Sequence, residues 1–191
     1  NGTTSTFTPG GITYFSLKLW CDTNYENTTI NIQNNTFISD DLTFHREAGT
    51  QTCTVNGNNL NVSKNMYSDK TAGTSAWTGS TSITLTSGSS SVINQCAGCT
   101  FPRGLVTIAK TSGVATLTSN VNFNGTNQDL SLTNGTIIQN GFDLAIARTL
   151  STAAGTVINQ GCANLSFVSH TPALGTIIGS SSNPNVTIAD K

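Results

Sequence analysis

The sequence predicts an all-β chain: parallel β-solenoid-like repeats preceded by an N-terminal β cap or lobe. Three observations carry this. Apolar–polar–apolar triplets recur at Ile83-Thr84-Leu85, Val106-Thr107-Ile108, Leu130-Ser131-Leu132, Leu144-Ala145-Ile146, Leu165-Ser166-Phe167 and Val186-Thr187-Ile188. A second apolar series, at Val92-Ile93, Ala115-Thr116-Leu117, Ile137-Ile138, Val157-Ile158 and Ile177-Ile178, returns at a near-constant step. A fixed period of roughly 20 residues marks a stacked, repeat-built architecture. Charged residues are only 9% of the chain, and Thr, Ser and Asn, which favour strands and turns over helix interiors, supply the polarity. An antiparallel β-sandwich with Asn-Gly hairpins is the alternative.

In chain order, Pro9-Gly10-Gly11 signals a turn within a polar opening arm, Asn1 to Tyr14. Phe15, Leu17 and Leu19 then alternate with polar or amphipathic residues, which is strand periodicity. A polar loop over 22–29 leads to the triplets Ile30-Asn31-Ile32 and Leu42-Thr43-Phe44, with a turn at Asn34-Asn35 between them. The charged island His45-Arg46-Glu47 follows, then Thr54-Val55 and the strong turn dipeptide Asn56-Gly57. Leu60-Asn61-Val62 precedes Ile83-Thr84-Leu85 by one such step, in phase with the later repeat. The expected division is therefore an N-terminal β lobe or assembly arm at 1–55 and a repeat-built domain at 56–191. Residues 63–81 read as polar, with Trp77 the one large apolar side chain.

One unit has too few apolar residues to form a core, so units must stack. The expected inner ladder is Ile83, Val106, Leu130, Leu144, Leu165 and Val186, with Leu85, Ile108, Leu132, Ile146, Phe167 and Ile188 as a second ladder. The spacing is uneven, since Leu130 and Leu144 are only 14 apart.

The net charge of −1 argues against nucleic acid or an anionic membrane as partner, since both need basic patches. No apolar run approaches the roughly 18 residues of a membrane helix, so no membrane insertion is expected. Asn1 stands where an initiator Met is absent, so the start is read as processed or trimmed. The surface chemistry fits an oxidising exterior, secreted or at a cell surface, where disulfides form. Of the five cysteines, Cys21–Cys53 and Cys96–Cys99 are the expected bridges. Cys96 and Cys162 occupy equivalent places three coils apart, about 14 Å at the usual strand spacing, beyond disulfide reach. The odd count leaves at least one thiol free or paired outside the chain.

Several groups are candidates for chemistry. Cys96-Ala97-Gly98-Cys99 has C-x-x-C spacing, but no second C-x-x-C or His pair completes a zinc site and Thr100-Phe101-Pro102 does not begin a redox-type helix. A structural disulfide is the favoured reading. Asp41, His45 and Glu47 share one face of a strand over 41–47, a candidate acid–base or metal group, though a solvated polar face is favoured. Asp22, Asn24 and Glu26 open like a calcium loop, yet Asn27 stands where the turn glycine belongs and no bidentate Glu follows. No cofactor is expected, with calcium the one exception that this loop raises. The sequons at Asn27, Asn34, Asn61, Asn124, Asn134, Asn164 and Asn185, and one at Asn1, are candidates for glycosylation. Tyr14, Trp20, Tyr25, Tyr67 and Trp77 all precede the triplets that begin at Ile83. Of these, Trp20, Tyr25, Tyr67 and Trp77 are the candidates for stacking on a glycan, with core packing the competing role. Among the few later acids, Asp129 and Asp143 are the best carboxylate pair for a polysaccharide-degrading enzyme.

The repeat Asn127-Gln128-Asp129-Leu130-Ser131-Leu132-Thr133-Asn134-Gly135-Thr136-Ile137-Ile138 resembles those of β-helical bacterial surface proteins, such as autotransporter passengers and filamentous adhesins. The resemblance spans residues 60–191. It implies a secreted or surface-displayed, non-enzymatic protein that adheres or builds a fibre. The expected partner is then another copy: the Asn1–Tyr14 arm donates a strand to a neighbour's open edge, or end coils stack. A carbohydrate-binding module or tip domain is the second reading, and the polysaccharide-degrading β-helix enzyme the third.

Overall fold

The computed structural model describes residues 3–22, 27–47, 52–73, 76–126, 128–172, 176–179 and 186–188. Every strand pairing among them is parallel, which excludes the antiparallel sandwich. No described residue is helical. The chain winds as a β-solenoid with three faces per coil.

The first face stacks Thr4–Phe7, Thr29–Ile32, Cys53–Gly57 and Trp77–Thr78, and after a gap Val121–Phe123, Leu144–Ile146, Leu165–Phe167 and Val186–Ile188. Residues 99–101 fill the gap: the Thr100 hydroxyl accepts from the Trp77 N–H at 2.7 Å, and Phe101 packs on Phe123 at 5.8 Å between ring centres. The second face stacks Thr13–Tyr14, Thr36–Ile38, Leu60–Val62, Ile83–Leu85, residues 106–108, residues 130–132, Thr149–Thr152 and Ser169–Pro172. Those eight segments, at about 4.8 Å each, rise about 34 Å. The third face stacks Leu17–Cys21, Asp41–Arg46, Asn65–Lys70, Ser91–Gln95, residues 115–117, residues 136–138, Val157–Gly161 and Thr176–Gly179. Val106–Leu117 and Leu130–Ile138 are long strands that run through the corner between second and third faces, with a register shift near Ala109.

Alternation builds the core. Leu42, Phe44 and Arg46 point inward and are buried while Asp41, Thr43 and His45 face out. Ile83, Val106, Leu130 and Leu150 form one inner ladder on the second face. Leu144 and Leu165 do not continue it, contrary to the single ladder expected; they stack under Val121 on the first face, with Val186 next in register. That explains the short interval from Leu130 to Leu144: it runs from the second face, past 136–138 on the third, to the first face of the next coil, which is less than one full coil. The coil also tightens, from a 25-residue offset at Thr4↔Thr29 to 21 at Leu144↔Leu165.

The expected lobe at 1–55 belongs to the same sheets. Cys53–Gly57 crosses the expected boundary and pairs with Thr29–Ile32 on one side and Trp77–Thr78 on the other. The opening arm is likewise the first coil: Thr4–Phe7 lies on Thr29–Ile32 and Thr13–Tyr14 on 37–38. Ladder hydrogen bonds within the chain hold these two segments. Phe15, expected to alternate inward with Leu17 and Leu19, sits before the strand and is 75% exposed. The polar run 63–81 contains two strands, because only Met66, Ser68 and Trp77 need to face in.

The two expected disulfides are present. Cys21–Cys53, with Cα atoms 6.3 Å apart, is buried and ties the end of the first coil to the first face two strands on. Cys96–Cys99, with Cα atoms 5.1 Å apart, closes a corner loop. Cys162 is exposed and belongs to neither bridge. Corner glycines admit close stacking. A Cβ on Gly57 (φ +106°) would lie 2.2 Å from the Ile32 carbonyl oxygen, and one on Gly79 (φ +100°) 2.1 Å from that of Val55.

Candidate functional site

In a parallel in-register sheet, outward side chains stack coil on coil. Trp20, His45 and Asp69 are successive partners on the third face. His45 Nδ1 lies 2.6 Å from Asp69 Oδ1, and its Nε2 is 3.4 Å from the Thr71 hydroxyl. The Trp20 ring meets the His45 ring edge-on at 5.7 Å, and Lys18 Nζ sits 5.2 Å from the Trp20 ring centre, a cation–π contact. Below Lys18 and Thr43 stands Tyr67, half-buried; burial, followed by the nearby Asp41 carboxylate, raises its hydroxyl's pKa above the usual value. Asp41 accepts from Asn65 Nδ2 at 2.8 Å. Asp40 holds Lys64 at 2.7 Å, and that hydrogen bond raises the ammonium's pKa.

Asp69, His45 and Thr71 follow the order carboxylate–imidazole–hydroxyl used in acyl transfer. The neighbouring N–H groups of Thr71 and Ala72, however, donate to the carbonyls of Arg46 and Glu47. They are not available to stabilise an oxyanion. Asp41 and His45 share the outward face of Asp41–Arg46, whereas Glu47 follows the end of that strand, and His45 is bonded across the coils to Asp69, a partner that reading did not include.

Asp129 and Asp143 do not form a carboxylate pair. Asp129 precedes a second-face strand and Asp143 a first-face strand. Asp129 accepts from Arg148 Nε at 2.7 Å and again from Arg148 Nη2, and from the Thr149 N–H at 3.0 Å. The Arg148 hydrogen bond holds its carboxyl below the usual carboxylate range. Asp143 accepts from the N–H and the Nδ2 of Asn164 at 2.8 and 3.0 Å.

Trp20 is 55% exposed and, with Thr3, Ser5, Asp22 and Thr28, lines a cleft of about 360 Å³. Trp77 is wholly buried against Phe44, 5.4 Å between ring centres, so its ring cannot meet a glycan from solvent. The large inward side chain fills a first-face segment only two residues long. Tyr25, Asn24, Glu26 and Asn185 lie outside the described residues. Among the described residues no group of three or more His, Cys, Asp or Glu is placed to hold a metal, and no helix is long and apolar enough to cross a membrane. The sequon residues Asn27, Asn34, Asn124, Asn134 and Asn164 are exposed. Asn61 is half-buried, its Oδ1 accepting from Asn59 at 2.8 Å.

A larger cleft, about 650 Å³, opens beside the Cys96–Cys99 loop. Its wall is Asn120, Asn122 and Asn124, all exposed, and Phe142 adds an aromatic surface. None of its twelve lining residues is charged. The reading from sequence missed it, yet the signal was there: in Asn120-Val121-Asn122-Phe123-Asn124, alternation puts Val121 and Phe123 in the core and three carboxamides outside.

Comparison with family models, with curated proteins and with solved structures finds no match.

Proposed function

We propose that this chain is part of an extracellular, non-enzymatic β-solenoid that acts as a structural or adhesive rod at a cell surface, in contact with further copies of itself. The observation that carries this is the stack itself: three faces run in parallel register from Thr4 to Ile188. Such a stack resists bending and presents long sides. Two bridged cysteine pairs suit an oxidising exterior. The engaged, separated carboxylates of Asp129 and Asp143 favour a role without catalysis. Ile12, Phe15 and Phe37, 59%, 75% and 52% exposed, lie in the first two coils. Large apolar side chains left in water mark a contact surface, and a second copy is the occupant this reading assigns. Exposed sequon asparagines fit the same compartment.

Light scattering and negative-stain electron microscopy test it. Oligomers or fibres of uniform width that revert to single chains in Phe15→Ser/Phe37→Ser support the reading. A strictly monomeric protein at high concentration refutes self-association. Glycan binding through Trp20 is the second reading, favoured by its exposed ring at the mouth of the 360 Å³ cleft; Trp20→Ala abolishes binding if it holds.

A further inference from the structure

The outer strip on the third face, the apolar patch near Phe15 and the Asn-lined cleft each present chemistry to solvent. The cleft carries an inference furthest. We propose that the cleft between the Cys96–Cys99 loop and the row Asn120, Asn122 and Asn124 is a binding site for a neutral oligosaccharide.

The absence of charged side chains in its lining decides the ligand's charge class. An anionic or cationic ligand entering it gives up hydration to a lining with no charge of its own, and the Lys70 ammonium behind the loop is already bonded to the Ala97 carbonyl. The lining offers hydroxyls and carboxamides instead, from Thr118, Ser119 and the three asparagines. Each carboxamide supplies two donors and an acceptor, the complement of a hydroxyl pair on a sugar ring. Asn120 Oδ1 already accepts from the Asp143 N–H at 2.9 Å, which fixes the first of the row. The side chains of Asn122 and Asn124 hold no hydrogen bond among the described residues. Spaced two apart on an extended strand, they stand about 7 Å from one another, wide enough to address more than one hydroxyl. Phe142 and the disulfide provide the apolar surface on which the C–H face of a sugar rests.

A peptide is disfavoured by the backbone. A strand added here needs the free N–H and C=O of the 121–123 edge. Gln95 occupies both: its Oε1 accepts from the Asn122 N–H at 2.6 Å, and its Nε2 lies 3.4 Å from the Asn122 carbonyl. Recognition at this wall therefore belongs to side chains.

The opposite wall is pre-organised. The Cys99 N–H donates to the Cys96 carbonyl at 2.9 Å, Lys70 Nζ to the Ala97 carbonyl at 2.6 Å, and Gln95 Nε2 to the Cys99 carbonyl at 2.5 Å. With the disulfide, these hold the loop before any ligand arrives, so binding spends little on ordering it. A volume of about 650 Å³ lies within the range of small-ligand sites. The site stands apart from Trp20 and from the surface assigned to self-association, so it does not depend on either reading above.

The test uses the full chain, made in a non-glycosylating host with its disulfides oxidised so that Asn124 stays bare. It is screened on an array of neutral gluco-, galacto-, manno- and N-acetylglucosamine oligosaccharides of two to six units, beside sialylated and sulfated ones. The neutral oligosaccharide with the strongest signal is then titrated by calorimetry. Binding to neutral members, weakened at least tenfold by Asn122→Ala/Asn124→Ala and unchanged by Trp20→Ala, is the expected result. The double variant changes only exposed side chains, so its melting temperature should equal the parent's. Three results overturn the proposal: no neutral oligosaccharide binds, only charged ones do, or the double variant binds as the parent does.

Discussion

Lys110 is fully buried, and its ammonium donates to the Thr86 carbonyl at 2.7 Å, the Ser63 carbonyl at 3.1 Å and the Ser91 hydroxyl at 2.6 Å. Ser63 and Thr86 each follow a second-face strand, so the lysine reaches back through two coils and caps the carbonyls where the chain turns the corner. Two effects oppose each other. Burying an ammonium costs free energy, which lowers its pKa from the ordinary 10.5. Removing it leaves the carbonyls of half-buried Ser63 and Thr86 without that donor, at about 1–3 kcal/mol each, while the Ser91 hydroxyl can rotate. Relief of ammonium burial trims that sum, leaving Lys110→Met about 2–4 kcal/mol less stable. At a slope of about 4 kcal/mol/M in guanidinium chloride, the unfolding midpoint falls by about 0.5–1 M. Fluorescence of the buried Trp77, one coil away, reads the transition. The pH dependence has a definite sign. Between the lowered folded value and 10.5 the unfolded chain binds the proton and the folded chain does not, so stability rises with pH in that window. The gap between parent and Lys110→Met therefore widens as pH climbs towards 10.5. A midpoint in the variant equal to or above the parent's refutes the reasoning, as does a gap that narrows on the alkaline side.

The disulfides differ in reach: Cys21–Cys53 closes a separation of 32 residues and Cys96–Cys99 one of 3. Chain entropy makes the first worth about 3–4 kcal/mol and the second about 2, so Cys21→Ser/Cys53→Ser lowers the denaturation midpoint more than Cys96→Ser/Cys99→Ser; the reverse order refutes this. Gly57→Ala and Gly79→Ala push a Cβ into a carbonyl of the coil before, at a φ that L residues avoid, and each costs several kcal/mol. Calorimetric melting of each variant checks it, and an unchanged melting temperature sinks the stacking argument. Asp129, its pKa lowered by Arg148, contributes stability in full above about pH 4 and loses it as pH falls through the lower folded value. The gap in melting temperature between parent and Asp129→Asn therefore shrinks as pH falls below about 4; a constant gap shows that the pair is idle.

The coil was legible because its core is written in short triplets that only parallel stacking can bury. Ile83-Thr84-Leu85 and Val106-Thr107-Ile108 pair residue for residue. What misled was the assumption that all the triplets share one stack, when Leu144, Leu165 and Val186 belong to the first face and Ile83, Val106 and Leu130 to the second. Three faces put three inward segments in each coil, and among those missed, Val121-Asn122-Phe123 looks like any triplet, while Leu150-Ser151-Thr152 ends in a polar residue that is nonetheless buried. The first coils were hidden for a related reason. Their inward positions hold Cys21, Arg46, Cys53 and Ser68, which break an apolar pattern; the cysteines fit the core as a disulfide and Ser68 by donating its hydroxyl to the Thr100 carbonyl.

The site was hidden by the same feature that makes the fold readable. In a solenoid every outward position stacks on its counterpart one coil away, so chemistry is assembled between coils rather than along one strand. Asp41, His45 and Glu47 looked like a group because they alternate on one strand, but i and i+4 on a strand stand about 13 Å apart. The partner that His45 meets is Asp69, its in-register neighbour. Trp20 reaches His45 by the same rule, from the coil before. Cross-coil addition is also why Asn122 is met by Gln95, and why the Cys96–Cys99 loop overhangs the amide row of the coil that follows it. Adding one coil offset to each outward polar residue turns the periodicity that reveals the core into a map of the surface. Applied to Asn120, Asn122 and Asn124, it leads back to the corner loop at 96–99, the wall of the cleft.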